Sequence, residues 1–239
     1  MSTPWALERR AGTAQELHDL DLDGGAGRLL RWNQVEDAAL VVGSAQPAAS
    51  IDLGGVEAAG LGLARRRSGG GAVLLVPGAQ VWLDVFLPAG DEWWSDDVDR
   101  SAWWLGDVWV ATLEALRPEL TGRLRVHRSP SSDPTSGRVA CFASVGPGEV
   151  VLDDRKLVGI SQRRTRHWAR FQCVVHLRWD SEPILRSLSA SATTPEVTAG
   201  LARVAALDGS RSAGPGSAGP GVQLDEWSVV EAFHLQLGA

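Results

Sequence analysis

Hydrophobic and polar positions alternate along the chain in short runs that predict both strands and helices. Apolar runs of strand length, or a period of two, predict strands at residues 29–32, 39–42, 81–88 and 171–178. Apolar residues at helical spacing predict helices at about residues 51–59, 97–116, 181–188, 195–207 and 223–237. Ser50 and Ser95 are the expected caps of the first two helices. Because strands and helices are interspersed, we expect an α+β protein with a mixed β-sheet flanked by helices.

Between these elements lie a polar segment and a group of closely spaced strands. Residues 127–137, HRSPSSDPTSG, are rich in Ser, Pro and Gly and predict a long exposed loop. A strand is expected from Val139, and two more strands, over residues 149–153 and 156–161, flank a turn at Asp153–Asp154.

The distribution of these elements predicts one main domain and a short C-terminal extension. The main domain is expected over residues 1–207. Residues 208–221, DGSRSAGPGSAGPG, are of low complexity and predict a flexible linker. Residues 222–239 contain the last helix, which is either tethered by the linker or packed onto the main domain.

Composition and charge exclude several classes of protein. Of the 239 residues, 44% are hydrophobic and 22% are charged, which excludes disordered, collagen-like and coiled-coil chains. The net charge of −6 argues against a general nucleic-acid-binding protein. No apolar run approaches the roughly 18 residues that span a bilayer, and the N-terminus lacks the apolar core of a signal peptide. With two cysteines and no disulfide framework implied, we expect a cytoplasmic protein.

One residue departs from the composition of the rest. Lys156 is the only lysine among 23 basic residues. A GC-rich genome explains the general replacement of lysine by arginine, since the two residues are nearly interchangeable on a solvated surface. A lysine that persists is therefore a candidate for a role that needs a compact ammonium group.

Motif spacing excludes several common sites. The chain has no GxxxxGK[ST] phosphate loop and no GxSxG nucleophile elbow. Gly60 and Gly62 begin a dinucleotide fingerprint, but Arg65 stands where its third glycine is required. The histidines are dispersed and lie at no zinc-type spacing from the cysteines, so no bound metal or prosthetic group is predicted.

Two segments carry candidate chemistry. Residues 65–73, RRRSGGGAV, combine arginines with three glycines, whose successive N–H groups can form an anion-binding nest. A flexible basic surface loop is the other interpretation.

In residues 154–164, DRKLVGISQRR, the single lysine begins a short strand. Strand alternation places on one face Lys156, Val158 and Ile160, and on the other Leu157, Gly159 and Ser161. A surface strand with a solvated lysine is the other interpretation of this segment.

Together these segments resemble a known family. The loop at 65–73 is similar to the signature loop of lipoate–protein ligases, and KLVGISQ at 156–162 resembles their lysine motif, K-[IVL]-x-G-x-[AS]-Q. ALVVGSAQ at 39–46 resembles the strand and turn that precede the loop in that family. With three motifs in the right order over about residues 28–180, the chain is identified as a member of the lipoate–protein ligase and octanoyltransferase family.

The resemblance implies a fold, a reaction and a set of site residues. The fold is the biotin/lipoate ligase catalytic fold, related to the catalytic domains of class II aminoacyl-tRNA synthetases. In the implied reaction, ATP with Mg²⁺ and lipoate or octanoate form an acyl-adenylate, whose acyl group passes to a lysine of a lipoyl carrier domain. Lys156 would lie beside the reacting carbonyl group. The residues expected to bind the acyl group and the nucleotide are Arg66, Ser68, Gly69, Gly70, Gly71, Ala72, Gly159 and Ser161.

A cysteine indicates a second route within the same family. ACFASVGPGEV at 140–150 resembles the C-F-x-x-P/G-x-x-x-E-[VI] segment of octanoyltransferases, in which a cysteine ahead of the lysine takes the acyl group as a thioester. Cys141 precedes Lys156 by 15 residues (156 − 141 = 15), in the order that this branch uses. A thiolate near cationic side chains is an available nucleophile, whereas a small core residue is the other interpretation of Cys141. Cys173, inside an alternating strand, is expected in the core.

Three functions therefore follow from the sequence. The leading hypothesis is a lipoate–protein ligase-like enzyme, and the first alternative is a cysteine-dependent octanoyltransferase that takes its acyl group from acyl carrier protein. The second alternative, a non-catalytic acyl- or lipoyl-domain-binding protein, is suggested by Leu74-Leu75, where the family usually has a histidine. The expected partners are lipoyl domains of 2-oxoacid dehydrogenase complexes, the glycine cleavage H protein and, on the transferase route, acyl carrier protein. Neither a nucleic acid nor a membrane is expected as a partner.

Overall fold

The computed structural model describes residues 4–20, 27–208 and 223–238. The strands are β1 (Ala6–Gly12), β2 (Leu29–Val35), β3 (Ala39–Val42), β4 (Gly62–Arg65), β5 (Val73–Leu75), β6 (Gln80–Pro88), β7 (Leu124–Val126), β8 (Val150–Leu152), β9 (Arg155–Arg164) and β10 (Trp168–His176). The helices are α1 (Ala14–Asp19), α2 (Leu53–Ala58), α3 (Trp103–Leu116), α4 (Pro134–Val139), α5 (Glu182–Ser187), α6 (Pro195–Ala202) and α7 (Glu226–Leu237). Short 3-10 turns cover Ala48–Ser50, Pro118–Leu120 and Cys141–Ala143. No helix in the described ranges is long and apolar enough to cross a bilayer.

Two β-sheets form the framework of the molecule. The larger sheet has the strand order β1-β2-β6-β10-β9-β8-β7, in which β1 and β2 are parallel and all other neighbours are antiparallel. The smaller sheet has the order β4-β3-β5, with β3 parallel to β4 and antiparallel to β5. Helices pack around both sheets. The prediction of an α+β fold with a mixed sheet flanked by helices is therefore confirmed.

The alternation of side chains along β10 separates the two faces of the larger sheet. Its odd-numbered residues, 171 to 175, belong to the main hydrophobic cluster together with residues of α3 and α7. The intervening Gln172 and Val174 face the smaller sheet, where Trp82 of β6, the register partner of Val174, packs against β3 and β5. One face of the larger sheet therefore supports the core, and the other face is left to form one wall of a pocket.

The last helix packs onto the main body of the protein. α7 is capped by Asp225, whose carboxylate accepts a hydrogen bond from the N–H of Ser228. The ring of Phe233 in α7 lies 4.4 Å from that of Trp109 in α3. The other buried residues of this helix are Val229, Val230 and Leu237. The expected linker at 208–221 lies outside the described residues, apart from Asp208.

The helix expected over 97–116 begins six residues later, at Trp103. The carboxylate of Asp97 accepts hydrogen bonds from the N–H groups of Asp99 and Arg100, and this local turn competes with a helical conformation. The prediction that Ser95 caps the helix is wrong, because α3 follows Ala102 and has no side-chain cap.

The segment expected to be an exposed loop contains a helix. Asp133 caps α4 by accepting hydrogen bonds from the N–H groups of Thr135 and Ser136, and Pro134 occupies the first helical position. The prediction of a strand from Val139 is also wrong: α4 runs to that residue, a 3-10 turn follows, and only an isolated bridge between Ala72 and Ala140 remains. The Ser- and Pro-rich composition indicated a loop, although Asp133 followed by Pro134 is an ordinary helix-capping sequence.

Three further boundaries differ from the sequence-based expectation. The helix expected at 195–207 ends at Ala202, because Ala205 and Leu207 instead donate hydrogen bonds to the carbonyl groups of Lys156 and His176. α2 is capped by Asp52 rather than Ser50, which ends a 3-10 turn. β1 and α1 were not expected from the pattern, although a capping box of Thr13 and Glu16 marks the start of α1.

Candidate active site

A narrow pocket lies between the larger and the smaller sheet. It contains about 410 Å³ of empty space, part of which is open to solvent. Its apolar wall consists of Val41, Val73, Leu75, Trp82, Phe142, Ile160 and Val174. Its remaining lining residues are His18, Arg66, Cys141, Gly159, Ser161 and Gln172. An apolar pocket with a few polar groups at defined positions is typical of a site for a small ligand with an apolar body.

Arg66 gives the glycine loop its shape. Its side chain is buried, and its guanidinium donates hydrogen bonds to the carbonyl oxygens of Gly69 at 2.7 Å, Gly71 at 2.8 Å and Val41 at 3.2 Å. Burial lowers the pKa of Arg66. The hydrogen bonds of this guanidinium are made with the main chain around it, so its expected contact with a ligand stays a prediction.

Two glycines of the loop are required by the backbone. Gly70 has φ of +92°, a main-chain conformation that residues other than glycine rarely adopt. A Cβ atom there would also lie 2.9 Å from the Arg66 guanidinium. A Cβ atom on Gly71 would lie 2.5 Å from the main-chain N of Ala140. By contrast, a Cβ atom on Gly69 would meet nothing within 4 Å. The loop therefore packs closely at one end and is open at the other.

The open end of the loop presents free main-chain donors. Within the described part of the chain, the N–H groups of Ser68, Gly69 and Gly70 make no hydrogen bond. Gly69 and Gly70 are exposed. Successive free N–H groups in a glycine loop can bind an anionic group such as a phosphate or carboxylate.

Ala72 links the loop to Cys141. The N–H of Ala72 donates to the carbonyl of Val139 at 2.9 Å, and the N–H of Cys141 donates to the carbonyl of Ala72 at 2.9 Å. These bonds hold the 3-10 turn at Cys141–Ala143 against the end of the loop. Cys141 is half-buried and lines the pocket. The prediction that Cys173 is a core residue is confirmed, since it is fully buried and burial raises the pKa of its thiol.

A β-bulge in β9 decides where Lys156 points. Val150 and Val151 of β8 pair with Val158 and Lys156, so that Leu157 is an extra residue on β9. Both Leu157 and Val158 are buried in the main cluster. The expectation that Lys156 shares a face with Val158 is therefore wrong, because the bulge moves the lysine to the face of Gly159, where a Cβ atom would lie 3.3 Å from its Cε.

The ammonium group of Lys156 is buried and surrounded by oxygen atoms. Its Nζ lies 2.7 Å from Oε2 of Glu149, 2.8 Å from the carbonyl oxygen of Cys141 and 3.0 Å from that of Ser144. Its distance to Sγ of Cys141 is 3.7 Å. Burial acts to lower the pKa of Lys156, but attraction to Cys141 and to Glu149 outweighs it, so the pKa is raised. The interpretation as a solvated surface lysine is therefore wrong.

Glu149 is itself held by main-chain donors. Its Oε2 accepts from the N–H of Gly146 at 2.7 Å, and its Oε1 accepts from the N–H of Ile160 at 3.0 Å. The carboxylate therefore joins the turn before β8 to the strand that follows the bulge. Its role is to hold the lysine ammonium at a defined place.

A row of hydrogen-bonded polar side chains lines the other side of the pocket. Ser161 and Ser68 lie 3.2 Å apart at their hydroxyl oxygens, and Ser68 donates to Oε1 of Gln172 at 3.0 Å. Nε2 of Gln172 lies 3.1 Å from Nδ1 of His18. The ring of His18 lies 4.4 Å from that of Trp82. Ser68 of the loop and Ser161 of the lysine strand are thus brought together, as their shared assignment to one site requires.

Gly159 is constrained by an aromatic neighbour. A Cβ atom at this position would lie 2.8 Å from the ring of Phe142, which also stacks near the ammonium of Lys156, with 4.7 Å between Nζ and the ring centroid. The glycine of the lysine motif therefore allows Phe142 to close the pocket beside Cys141. Its predicted contact with the acyl group stays a prediction.

Sequence reasoning missed three residues of this site: His18, Glu149 and Gln172. Glu149 stands at the glutamate of the segment that contains Cys141, so the motif held a usable signal. His18 and Gln172 are separated by 154 positions and belong to no spaced motif. Only the packing of α1 against the larger sheet brings them together.

No metal centre accompanies these residues in the part of the chain that the structure describes. Within residues 4–20, 27–208 and 223–238, no group of three or more His, Cys, Asp or Glu side chains is arranged to hold a metal ion.

Comparison with known proteins identifies relatives of this arrangement. The family model described as the lipoyl protein ligase A/B catalytic domain matches residues 3–208. A search of curated proteins by sequence gives no match.

Solved structures with the same fold are distant in sequence. A lipoate-protein ligase A bound with ATP superposes with a TM-score of 0.68 at 19% identity, over 100% of this chain and 86% of that chain. The bipartite lipoate protein ligase of Thermoplasma acidophilum, described with its E2 lipoyl domain, gives a TM-score of 0.66 at 16% identity, over 100% and 84%. LipL1 of P. falciparum in complex with lipoate gives 0.63 at 11% identity, over 98% and 61%. At these identities the comparison shows the fold.

Proposed function

The chain belongs to the lipoyl protein ligase A/B catalytic domain family, and from this membership we propose that it transfers a lipoyl or octanoyl group to a lysine of a lipoyl domain through a thioester on Cys141. One observation supports this route above the others. Cys141 lines the apolar pocket, and its Sγ lies 3.7 Å from the ammonium of Lys156. A thiol that lines an apolar pocket beside a fixed positive charge is suited to thioester chemistry.

In the first step the sulfur of Cys141 attacks the carbonyl carbon of an acyl thioester, such as the acyl group of an acyl carrier protein. The donor thiol leaves and takes up the proton that the cysteine has lost. In the second step the uncharged amine of the acceptor lysine attacks the new thioester, an amide forms, and the thiol of Cys141 is regenerated with the proton of the amine. No net oxidation or hydrolysis occurs.

Lys156 acts as an electrostatic partner of Cys141 in this proposal. Its three N–H donors face oxygen atoms of Glu149, Cys141 and Ser144, so the ammonium is held in place. A fixed positive charge this close to Sγ stabilises the thiolate that attacks the donor. This differs from the expected place of Lys156 beside the reacting carbonyl, because its donors are already engaged.

The lipoyl domain is proposed as the acceptor. The T. acidophilum ligase with a similar fold is described together with its E2 lipoyl domain, which supports an acceptor of this class. Its exposed lysine would reach the thioester at the Cys141 end of the pocket.

An acyl-adenylate route is the second candidate. Within the described residues the N–H groups of Ser68, Gly69 and Gly70 make no hydrogen bond, which leaves them available to bind the phosphate of a nucleotide, and the ligase A structure with a similar fold was solved with ATP. On this route ATP would activate the free acid, Mg²⁺ would neutralise its phosphates, and the loop would hold the α-phosphate. The residues that would bind the nucleotide phosphate are those of the glycine loop. No cluster of metal-binding side chains is found in the described ranges.

Intact-mass spectrometry distinguishes the two routes. The protein is incubated with octanoyl or lipoyl acyl carrier protein in the absence of ATP and of an acceptor. The thioester route predicts a mass increase of one acyl group on the wild type, none on Cys141→Ser, and transfer to a lipoyl domain when it is added. Cys173→Ser is the matched control and should behave as the wild type, since Cys173 is buried.

Two results would contradict the thioester route. Full acyl transfer by Cys141→Ser would show that the sulfur takes no part. Modification of the lipoyl domain that requires free lipoate and ATP would support the adenylate route instead.

A further inference from the structure

The hydrogen bonds that run from Ser68 through Gln172 to His18 have a defined donor-to-acceptor direction. Ser68 donates to Oε1 of Gln172, so the NH₂ group of that amide faces Nδ1 of His18. Because an amide nitrogen only donates, Nδ1 of His18 is the acceptor in this contact. Burial lowers the pKa of His18 to about 3, so the ring is neutral and carries its one proton on Nε2.

The Nε2–H group of His18 is a donor without a partner. Within the described residues it makes no hydrogen bond, and it is not among the fully buried atoms that lack a partner. His18 as a whole is 6% exposed, so this donor is available to a molecule in the pocket. His18 lines the pocket, and its ring is held against Trp82. The charged side chains near His18 are those of Asp84, Arg170 and Arg66. Within the described residues the carboxylate of Asp84 accepts from Asn33, Trp82 and Arg170 and not from His18.

His18 and Cys141 lie at opposite sides of the pocket. Cys141 lies beside Lys156 of β9, whereas His18 contacts Gln172 of β10 and Trp82 of β6. Since β9, β10 and β6 are consecutive strands, two strand spacings, or about 10 Å, separate the two sides. An extended octanoyl or lipoyl chain attached at Cys141 covers a distance of this order, which brings its far end to His18.

We infer that His18 is a specificity-determining residue, whose Nε2–H donates to an acceptor atom near the distal end of the acyl chain. This inference rests on the proposed function, because it takes the pocket to be the acyl site. A ring sulfur of a lipoyl group is a weak acceptor at that end, whereas the methyl end of an octanoyl group is not an acceptor at all. An unsubstituted alkyl chain in the pocket would remove water from this donor without pairing it, so an octanoyl group is expected to bind less tightly than a chain that carries an acceptor.

Calorimetric titration of the full-length protein with free acids tests this inference without relying on acyl transfer. The probes are octanoate, lipoate and the methyl ketone analogue of octanoate, which carries a strong acceptor next to its terminal carbon. The wild type is expected to bind the ketone about tenfold more tightly than octanoate, and lipoate more tightly than octanoate. His18→Phe keeps an aromatic ring against Trp82 but has no donor, and it should bind the three acids with nearly equal affinity.

Two further variants keep the test decisive. His234→Phe removes a histidine on α7, far from the pocket, and should keep the wild-type preference. His18→Gln keeps an N–H donor of similar reach, so it should retain part of the preference and serves if His18→Phe does not fold.

Two other outcomes overturn the inference and are distinguishable. If the wild type binds all three acids equally, or if His18→Phe keeps the preference, His18 does not determine specificity while the proposed function stands. If no acid binds, octanoate included, the inference is overturned, and the mass increase of the protein with acyl carrier protein decides separately whether the proposed function stands.

Discussion

The lone lysine shows how much a single residue depends on its neighbours. Lys156 is 4% exposed, and its charge is balanced by Glu149, while carbonyl oxygens of Cys141 and Ser144 take its other donors. A compact ammonium fits between three oxygen atoms, whereas the planar guanidinium of arginine is wider and has five donors. This geometry explains why lysine persists here in a chain that uses arginine elsewhere.

Glu149→Gln should destabilise the protein by about 3 kcal/mol, the usual cost of removing one partner of a buried ion pair. All the neighbours of this carboxylate are donors, namely Lys156 and the N–H groups of Gly146 and Ile160, so the NH₂ group of glutamine must face one of them. Denaturant unfolding at neutral pH measures the loss. Glu182→Gln, which removes an exposed ion pair with Arg186, is the matched control and should cost less than about 1 kcal/mol.

The same pair predicts a pH dependence. The folded-state pKa of Lys156 is raised above its ordinary value of 10.5, so the stabilisation is fully present below pH 10.5 and is lost as the pH rises through the raised pKa. Wild type and Glu149→Gln should therefore converge in stability at alkaline pH. A constant difference above pH 10.5 would contradict the ion-pair account.

The glycine loop is the element in which main-chain conformation and chemistry meet. Arg66 donates hydrogen bonds to the carbonyl oxygens of Gly69 and Gly71, and the N–H groups of Ser68, Gly69 and Gly70 make no hydrogen bond within the described residues. The main chain of Ala72 then carries this arrangement to Cys141. One element therefore shapes both the possible phosphate cradle and the position of the candidate nucleophile.

Neighbouring glycines of this loop should respond differently to the same substitution. Gly70→Ala should cost about 1–3 kcal/mol and lower acyl transfer, because φ is +92° and the Arg66 guanidinium lies close to the added methyl group. Gly69→Ala should leave stability almost unchanged, since nothing lies within 4 Å of its Cβ position. Melting temperatures and transfer rates of both variants check this. Equal effects at the two positions would show that the loop is not held as described.

At the scale of the whole molecule, the chain ends support the sheet that carries the site. β1, near the N-terminus, adds an edge strand parallel to β2, and α7, near the C-terminus, covers the face of the sheet opposite the pocket. The strands β6, β10 and β9 therefore have a packed core behind them and the pocket in front.

Phe233→Ala should destabilise the protein by about 3–5 kcal/mol. Phe233 is fully buried against Trp109, so removal of its ring leaves a cavity in the main core. Leu235→Ala, on the exposed face of the same helix at 70% exposure, should change stability by less than about 0.5 kcal/mol. Denaturant unfolding of both variants makes the comparison. A small effect of Phe233→Ala would mean that α7 is not an integral part of the fold.

Much of the fold and part of the site could be predicted from the sequence. The strands at β2, β3, β6, β9 and β10 and the α+β class follow from periodicity, because alternation and helical spacing are local consequences of backbone geometry. Family membership followed from three short motifs and is confirmed by the family model over residues 3–208. The boundaries of α3, α4 and α6 were missed, since local turns, caps and distant main-chain contacts decided where those helices begin or end.

Only the tertiary structure decided which chemical groups meet. The bulge at Leu157 turned Lys156 toward Glu149 and Cys141, although strand alternation indicated the opposite face from Gly159. The contact between His18 and Gln172 joins residues that are 154 positions apart. The sequence by itself determined the local conformations and the residue types available for chemistry, because these depend on near neighbours along the chain. The hydrogen bonds, burial and charge pairing of the site depend on packing between sheets and helices, which no local pattern encodes.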